Sequence, residues 1–385
     1  MLLLLPLLLF GCEPDPVPPL SWERPGRWFA GDLHVHTSVG SNDTDGLGTV
    51  AFLADTARAR GLDFVFITDH SNAAGSMDCE TGDVEDCPNR GPEFPAREAS
   101  DALSDASLAL WVGSELSPIQ SLEENGGPNG HIGCHPVAAA DFGGWEDAFV
   151  DRPPGSVSGA DALAQCQAIG GFSVVNHPDA IASWVAWDDT SDMFDGVEIY
   201  GGNAQFDRQD EAAIARWMGL IAAGRSVVAV GGSDVHRFGT EPPGSFLDPA
   251  LGYPRTSVWA TSLAEVPRAL AAGQVVVHEP PSMVELLAQR GEGQREAGPV
   301  GPGGSVMGPA EARLRASAGV DGLRVEVVDA WSGDVIYQAD LAKDEDVEAF
   351  LTLTTGAWVA RLWPADAEWS APQGGVAVAN PVWVE

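Results

Sequence analysis

The chain is poor in basic residues. It has 385 residues, and 20 Lys+Arg stand against 56 Asp+Glu, so its formal net charge at neutral pH is -36. A surface of this charge repels phosphate backbones, which argues against nucleic acid as a partner. General solubility, including adaptation to salt, explains the charge more simply than an acidic binding surface does. Hydrophobic residues make up 44%, which is typical of a soluble globular protein and enough for two domains.

Long apolar runs are lacking at the N-terminus as well. Residues 2–10 are almost wholly apolar, but a spanning helix needs about 20 such residues. The run ends in LFGC, which resembles the lipobox of bacterial lipoproteins, with Cys12 as the lipidated residue. We therefore predict a signal peptide and Pro-rich tether over residues 1–21 and export to the bacterial cell envelope, with membrane contact only through a lipid on Cys12. A plain signal for periplasmic or secreted protein and a misassigned start remain alternatives.

Cysteine is scarce, with five residues in the chain. Export permits disulfides, and removal of Cys12 leaves an even number. The cysteines at 79 and 87 bracket a polar loop and are the favoured pair, whereas a pair between Cys134 and Cys166 has weaker support. No C-x-x-C spacing occurs, which argues against a cysteine metal site.

A β/α rhythm runs from residue 28 to about 278, where short apolar strands alternate with helical stretches. This pattern predicts an α/β fold with a parallel sheet. Seven strand candidates in this order favour a barrel, with a doubly wound open sheet as the alternative. After residue 280 the chain changes to short alternating runs broken by turns, which predict a small antiparallel β-sandwich. The predicted domains are 22–279 and 280–385.

Most of the eight histidines occur at strand ends. In β/α barrels the carboxyl ends of the strands meet at one mouth, so these side chains are expected to converge there. Carboxylates occur at similar positions, and imidazole with carboxylate suits zinc, manganese or iron. Their number exceeds the needs of one ion, so two or three divalent ions are predicted. The candidate metal ligands are His34, His36, Asp45, His70, Glu115, His131, His177, Asp234 and His236.

Six motifs occur in a fixed order: DLHVHT, ITDH, GSE, GH, NHP and GGSDVH. This set resembles the PHP (polymerase and histidinol phosphatase) superfamily of metallohydrolases over roughly residues 28–280. The stretches GSELS, FDGVEIYGGN and GYPRTSVWA are similar to its carbaryl-hydrolase-like branch, CehA/McbA. The resemblance implies a distorted seven-stranded β/α barrel with a di- or trinuclear centre.

The resemblance also implies a ligand set for each ion. The first ion would be held by His34, His36, Glu115 and Asp234. Glu115 would bridge to a second ion bound by His131 and His177, and the third ion would take Asp45, His70 and His236. Two choices stay open, because Asp43 competes with Asp45 and His135 with His131. We expect His278 to be structural.

The function implied is an exported hydrolase of small phosphate or carboxylic and carbamate esters, with a metal-bridging hydroxide as nucleophile. Glu115, Asp234 and Arg255 are the predicted catalytic residues, Arg255 because a guanidinium binds two oxygens at once; a structural ion pair is its alternative role. Asp32 and Asp69 are predicted to orient histidines. A non-catalytic metal-binding surface lipoprotein that displays its β-domain is the alternative function. The bridging lysine typical of many amidohydrolases is excluded, because the single lysine, Lys343, lies in the β-rich tail.

Overall fold

The computed structural model describes ten segments of the chain. They are residues 21–41, 44–70, 93–116, 130–137, 159–179, 193–201, 206–238, 250–290, 298–365 and 375–385. Several predictions concern residues outside these segments and stay predictions. They are the signal peptide with Cys12, the pair of Cys79 with Cys87, and the competing ligand Asp43.

The first part of the chain alternates strands with helices, and the prediction of a mixed α/β fold is confirmed. The strands β1 to β10 are Arg27–Asp32, Phe64–Ile67, Ala109–Val112, Ser114–Leu116, His131–Pro136, Gly171–Asn176, Gly196–Gly201, Val228–Gly232, Arg255–Ala260 and Val275–His278. The helices α1 to α5 are Val50–Ala59, Glu93–Leu103, Gly159–Ala168, Arg208–Ala222 and Val266–Ala271.

Two sheets carry these strands. In one sheet β1, β2 and β3 are parallel neighbours, and β9 and β10 continue it in antiparallel fashion beyond β1. The other sheet has the order β4-β5-β6-β7-β8. Isolated parallel bridges between Val35 and Val235 and between His70 and Glu115 connect the two sheets beyond the ends of β1 and β2. Closure into a barrel of seven strands stays a prediction.

One strand runs against the predicted parallel direction. β5 pairs antiparallel with both β4 and β6. Its first residue, His131, therefore lies at the end of the sheet where β4 and β6 end. The predicted single strand LALWVGSEL is divided into β3 and β4 at Gly113. A Cβ at Gly113 would lie 2.6 Å from the carbonyl oxygen of Cys134, so a side chain would disturb this junction.

The helices are set by caps and by apolar faces. Thr49 accepts a hydrogen bond from the backbone N–H of Phe52 and caps α1. Asp207 and Asp210 form a capping box at the start of α4. Trp217 of α4 is fully buried, and burial of such a side chain stabilises the fold by about 1.5–3 kcal/mol. Among the described residues, no helix combines the length and apolar character that a bilayer crossing requires.

After residue 280, every secondary-structure element that the structure describes is a strand, as the alternating runs predict. β11 to β19 are Met283–Arg290, Ser305–Val306, Ala310–Ser317, Leu323–Asp329, Val335–Leu341, Asp346–Leu353, Gly356–Pro364, Ala377–Ala379 and Val382–Val384. β11, β13 and β16 form an antiparallel sheet of their own. The other strands continue the sheet of β1, because β10 pairs with β9 on one side and with β18 on the other. The predicted domain boundary at 279/280 thus comes directly after β10, a strand of the sheet that both parts share. The division into two domains stays a prediction.

A disulfide joins Cys134 of β5 to Cys166 of α3. This is the pair for which the sequence offered weaker support. Both residues are fully buried in the same hydrophobic core, and the bond attaches the helix to the reversed strand.

Candidate metal centre

Six strands bring eight predicted ligands together within them or at their ends. His34 and His36 follow β1, and His70 follows β2; the bridge between Val35 and Val235 holds the opening pair against the residues that follow β8. Glu115 lies within β4, His131 begins β5 and His177 comes directly after β6. The described residues thus gather side chains spread over some two hundred positions. The eight are His34, His36, His70, Glu115, His131, His177, Asp234 and His236.

Glu115 lies in the middle of this cluster. Its Oε1 is 3.0 Å from His34 Nε2 and 3.0 Å from His131 Nδ1. Its Oε2 is 3.4 Å from His36 Nε2 and 3.1 Å from His70 Nδ1. The side chain is 1% exposed, so one buried carboxylate contacts four imidazoles from three separate places in the chain.

Asp234 is the second carboxylate of the cluster. Its Oδ1 lies 3.2 Å from the Nε2 atoms of both His34 and His36, and those two nitrogens are 3.1 Å apart. On the other side of Glu115, His131 Nδ1 is 3.2 Å from His177 Nε2. Most neighbouring atoms of the cluster are therefore 3.0–3.5 Å apart, and the contacts of Asp234 with His236 and His177 are longer, at 3.6 Å and 4.0 Å.

This spacing fits metal ligands. Tetrahedral ligands about 2.0–2.1 Å from zinc lie about 3.3 Å from one another. Within the described residues, Glu115 Oε2 and Asp234 Oδ1 are buried and accept no hydrogen bond, although imidazole nitrogens lie close by. A buried carboxylate without hydrogen bonds is costly unless a cation neutralises it. Four overlapping groups have their ligand atoms within 4.8 Å: His36, His70 and His236; His34, His36 and Glu115; His34, His177 and Asp234; and Glu115, His131 and His177.

The electrostatics of the cluster keep its carboxylates ionised. Burial favours the neutral form of Glu115, but His131 and His34 outweigh it and hold its pKa well below the ordinary value. Burial likewise acts against ionisation of Asp234, yet His34 and its other imidazole neighbours bring its pKa well below the usual range. Burial lowers the pKa of His36, and His236 and His70 lower it further. His36 is therefore a neutral imidazole with a lone pair to offer.

His34 shifts in the opposite direction. Burial alone would lower its pKa, but Asp234, Glu115 and Glu198 raise it well above the ordinary value. A ligand must be deprotonated to bind a metal ion, so His34 would lose its proton if it held such an ion. The negative charge around this ring is suited to a cation.

Two ligands have unusual backbones. His177 has φ +27° and Asp234 has φ +54°, the left-handed region that side chains other than glycine rarely adopt. Such conformations cost about 1–3 kcal/mol each and are concentrated at functional sites. The fold maintains this backbone conformation at the two predicted ligands that follow β6 and β8.

The aspartates predicted to orient histidines contact the backbone and a serine. Asp69 accepts hydrogen bonds from the backbone N–H of Thr37 at 2.6 Å and from the Ser41 hydroxyl at 2.9 Å. Ser41 Oγ lies 3.0 Å from His36 Nδ1, so Asp69 reaches this ligand through Ser41. Asp32 accepts from the backbone N–H groups of His34, Ser233 and Gly252.

The structure does not place Asp45 in any of the four groups. Its carboxylate accepts hydrogen bonds from the backbone N–H groups of Leu47 at 2.9 Å and Phe238 at 2.8 Å. His36 takes the third position beside His70 and His236. The ligand role of Asp45 stays a prediction, and its contacts show it connecting the segment after His36 with the segment after His236.

His131 and His135 lie on the same strand but in different surroundings. His131 reaches Glu115, whereas His135 belongs to none of the four groups. The ring of His135 packs edge-on against Phe66, with the centroids 5.3 Å apart, and burial lowers its pKa to about 3. Of the two residues left open by the sequence, His131 is the one placed for metal binding.

Arg255 contacts backbone carbonyls. Its Nη2 donates to the carbonyl of Arg60 at 2.6 Å, and its Nε donates to the carbonyl of Gly252 at 3.3 Å. These contacts favour a structural role, and the predicted substrate role stays a prediction. His278 donates from Nδ1 to the carbonyl of Ser282 at 2.7 Å, and its Nε2 lies 2.9 Å from the Ser257 hydroxyl, as expected for a structural histidine.

Glu198 is a residue of the site that the sequence analysis did not assign. Its carboxylate lies beside His34 Nδ1 and accepts from the backbone N–H of His177. The sequence contained a signal for Glu198, because burying an unpaired acid within the apolar run GVEIY is costly. Glu198 is 2% exposed.

No protein-family model matches this sequence, and a search of curated proteins finds no match. Among solved structures, the chain is similar to a two-domain protein from Bacteroides vulgatus that contains a predicted PHP-like metal-dependent phosphoesterase. The two are 15% identical, the match covers 95% of this chain and 97% of that chain, and the TM-score is 0.45. At this identity and TM-score the likeness assigns neither a family nor an activity to this chain.

Proposed function

We propose that this chain is a metal-dependent hydrolase of small phosphate or carboxylic and carbamate esters, of the PHP type and its carbaryl-hydrolase-like branch. The observation that carries the proposal is the convergence of imidazoles on Glu115 and Asp234. Ring nitrogens lie 3.0–3.4 Å from the Glu115 carboxylate, and neither Glu115 Oε2 nor Asp234 Oδ1 accepts a hydrogen bond. The ordered motifs of the sequence support the same assignment. Zinc, manganese and iron all suit this donor set.

The proposed centre holds two or three ions. Glu115, His131 and His177 would hold one ion, His36, His70 and His236 another, and His34 with Asp234 lies between these groups. When bound, divalent ions supply Lewis acidity and make water a stronger nucleophile at neutral pH. Bridges of Val35 with Val235 and of His70 with Glu115 support the closed seven-stranded barrel that this proposal includes.

The side chains of the cluster differ in how deeply they are buried. Glu115 is 1% exposed and its lowered pKa keeps it anionic, so it serves as a buried ligand and not as a proton acceptor. His131, Asp234 and His236 are 19%, 19% and 24% exposed at their side chains. A substrate therefore approaches the cluster from their side.

The experiment that tests this function combines metal analysis with turnover. Natively purified protein is analysed for metal and assayed with p-nitrophenyl phosphates and p-nitrophenyl acylates, then stripped by chelation and reloaded with zinc, manganese or iron. We expect bound metal, turnover of at least one ester class, loss on chelation and recovery on reloading. Metal-replete protein that is inert toward both classes would contradict the hydrolase and favour a metal-binding surface protein.

We also propose export, on the N-terminal run and the LFGC sequence. The disulfide between Cys134 and Cys166 supports it, since stable disulfides form mainly in oxidising compartments. Metabolic labelling with a radioactive fatty acid tests lipidation, and Cys12→Ala is expected to abolish the label. Labelling that survives this substitution would contradict the role of Cys12.

A further inference from the structure

Two ligands of the candidate centre share one buried carboxylate that belongs to none of the four ligand groups. Glu198 Oε1 and Oε2 lie 3.3 Å and 3.4 Å from His34 Nδ1. The same Oε2 accepts a hydrogen bond of 2.7 Å from the backbone N–H of His177. One side chain of β7 thus contacts the ring of a ligand after β1 and the backbone of a ligand after β6.

The contact with His34 selects the form of the ring. An ionised carboxylate only accepts hydrogen bonds, so Glu198 requires the proton of neutral His34 on Nδ1. The lone pair is then on Nε2, the atom that faces Glu115 Oε1 at 3.0 Å and Asp234 Oδ1 at 3.2 Å. Glu198 therefore directs the metal-binding atom of His34 into the cluster.

The contact with His177 holds a strained backbone. His177 has a φ of +27°, and the charge-assisted hydrogen bond from its N–H to Glu198 offsets part of the strain. The ring of His177 is thereby kept with Nε2 at 3.2 Å from His131 Nδ1. Without the carboxylate, this ligand would lose the anchor of its main chain.

Two glycines make room for this carboxylate. A Cβ at Gly201 would overlap the carboxyl group of Glu198. A Cβ at Gly232 would overlap His34 and lie 2.9 Å from Glu198 Oε1. The niche therefore requires glycine on β7 itself and on the neighbouring strand β8.

A separate network serves the other part of the cluster. Ser41 Oγ donates to Asp69 Oδ1 at 2.9 Å. It accepts from the backbone N–H of His70 at 3.2 Å and lies 3.0 Å from His36 Nδ1. A hydroxyl has one proton and two lone pairs, so this arrangement puts the Nδ1 proton on His36 and leaves its Nε2 free for an ion.

We propose that Glu198 is the positioning residue for His34 and His177, and that Ser41 with Asp69 positions His36 and His70 independently. The inference rests on the proposed metal centre. It divides the centre into two parts, each supported by its own carboxylate. Loss of one network then weakens one part and spares the other.

The test measures zinc binding to metal-free protein by competition with a chromophoric chelator. Removal of an outer contact to a ligand lowers metal affinity by about 10–100-fold. We expect a loss of this size in Glu198→Gln at the two ligand groups that contain His177, with the ion of His36, His70 and His236 retained. Ser41→Ala is expected to weaken that last ion and to spare the others. Glu326→Gln, which alters a buried carboxylate bound to Arg361 in the β-rich part, is the matched control and is expected to bind zinc like the wild type.

A spectroscopic signature separates positioning from general structural support. In ¹⁵N-histidine NMR spectra of zinc-loaded protein, we expect protonated Nδ1 and zinc-bound Nε2 at His34, assigned through its loss in His34→Gln. Glu198→Asp keeps an acceptor-only group and is expected to preserve this pattern with a smaller, still selective loss of affinity; it also serves if Glu198→Gln does not fold.

Three outcomes are distinguishable. Wild-type zinc affinity in Glu198→Gln, or a loss spread evenly over all ions in either Glu198 variant, would overturn the inference and leave the proposed function intact. Wild-type protein that binds no zinc would overturn both. A selective loss in Glu198→Gln, with the reverse selectivity in Ser41→Ala, would support the inference.

Discussion

His70 and Glu115 are connected twice, once through the main chain and once through the side chains. An isolated parallel bridge pairs their backbones, and His70 Nδ1 lies 3.1 Å from Glu115 Oε2. A ligand from the first sheet is thus fixed to the central carboxylate of the second sheet. The cluster is part of the connection between the two sheets.

The first prediction concerns Glu115. Substitution Glu115→Gln removes the anion on which imidazoles from separate strands converge and keeps the volume of the side chain. We expect metal affinity and ester turnover to fall by more than the about 10–100-fold typical of a residue that only supports a ligand. Metal analysis and kcat/KM check this, with Glu326→Gln as control. Turnover at the wild-type level would contradict the central role of Glu115.

The second prediction concerns the acid sensitivity that His135 imposes. Its pKa is lowered by burial to about 3, whereas an unfolded histidine titrates near about 6.5. Below about pH 6.5 the histidine is protonated in the unfolded chain but stays neutral in the folded chain. The free energy of unfolding therefore decreases as the pH falls from about 6.5 toward 3. Between pH 7 and 4.5 this one group costs about 2–3 kcal/mol.

Urea unfolding of chelator-treated protein at both pH values checks this cost. The variant His135→Leu is expected to lose less stability on acidification than the wild type, by that amount. His278, whose pKa burial lowers to about 4, is unchanged in both proteins and so cancels in the comparison. An identical loss in the two proteins would contradict the assignment.

The third prediction concerns the disulfide. Cys134 and Cys166 are separated by 32 residues, and closing a loop of this length restricts the unfolded chain by about 3–4 kcal/mol. We expect the double variant Cys134→Ala, Cys166→Ala to be less stable by this amount in denaturant. Reductant should destabilise the wild type by this amount more than the double variant, which keeps the predicted pair of the cysteines at 79 and 87. A wild type that is indifferent to reductant would contradict the contribution of this bond.

The fourth prediction tests the two roles of Arg255. Its hydrogen bonds to the carbonyls of Arg60 and Gly252 are bonds to a charged donor, which contribute about 1.5–3 kcal/mol. We expect Arg255→Met to lower the free energy of unfolding by about this amount and to change kcat/KM for phosphate and acyl esters by the same factor. A selective loss with the phosphate ester would instead support the substrate role predicted from the sequence.

Much of the candidate centre was predictable because strand ends share an edge. His34, His36, His70, His177 and His236 follow apolar runs, and their convergence requires only the β/α rhythm. The direction of β5 was not predictable, because a short apolar strand has the same pattern whichever way it runs. That direction decides between His131 and His135, since it puts the first residue of the strand, and not a later one, at the edge with Glu115.

Contacts between distant segments of the chain also could not be predicted from the sequence. The family resemblance assigns Asp45 to the third ion, yet its carboxylate accepts hydrogen bonds from the backbone N–H groups of residues 47 and 238. Glu198 is a lone acid in an apolar run, and only the niche beside Gly201 and Gly232 shows what it supports. Spacing along the chain identifies which residue types converge, whereas the partner of each polar atom depends on packing.

The pairing of β10 with both β9 and β18 has a consequence for how the molecule can be divided. A fragment that stops at residue 279 would carry an open strand edge where residues 377–379 now pair with residues 276–278, and such edges promote aggregation. The fragment would also lack Asn380, whose side chain accepts a hydrogen bond from the backbone N–H of Ala229 and donates one to its carbonyl. The part with the candidate centre and the β-rich part thus share one sheet, and recombination could replace the β-rich part only with one that reproduced these contacts.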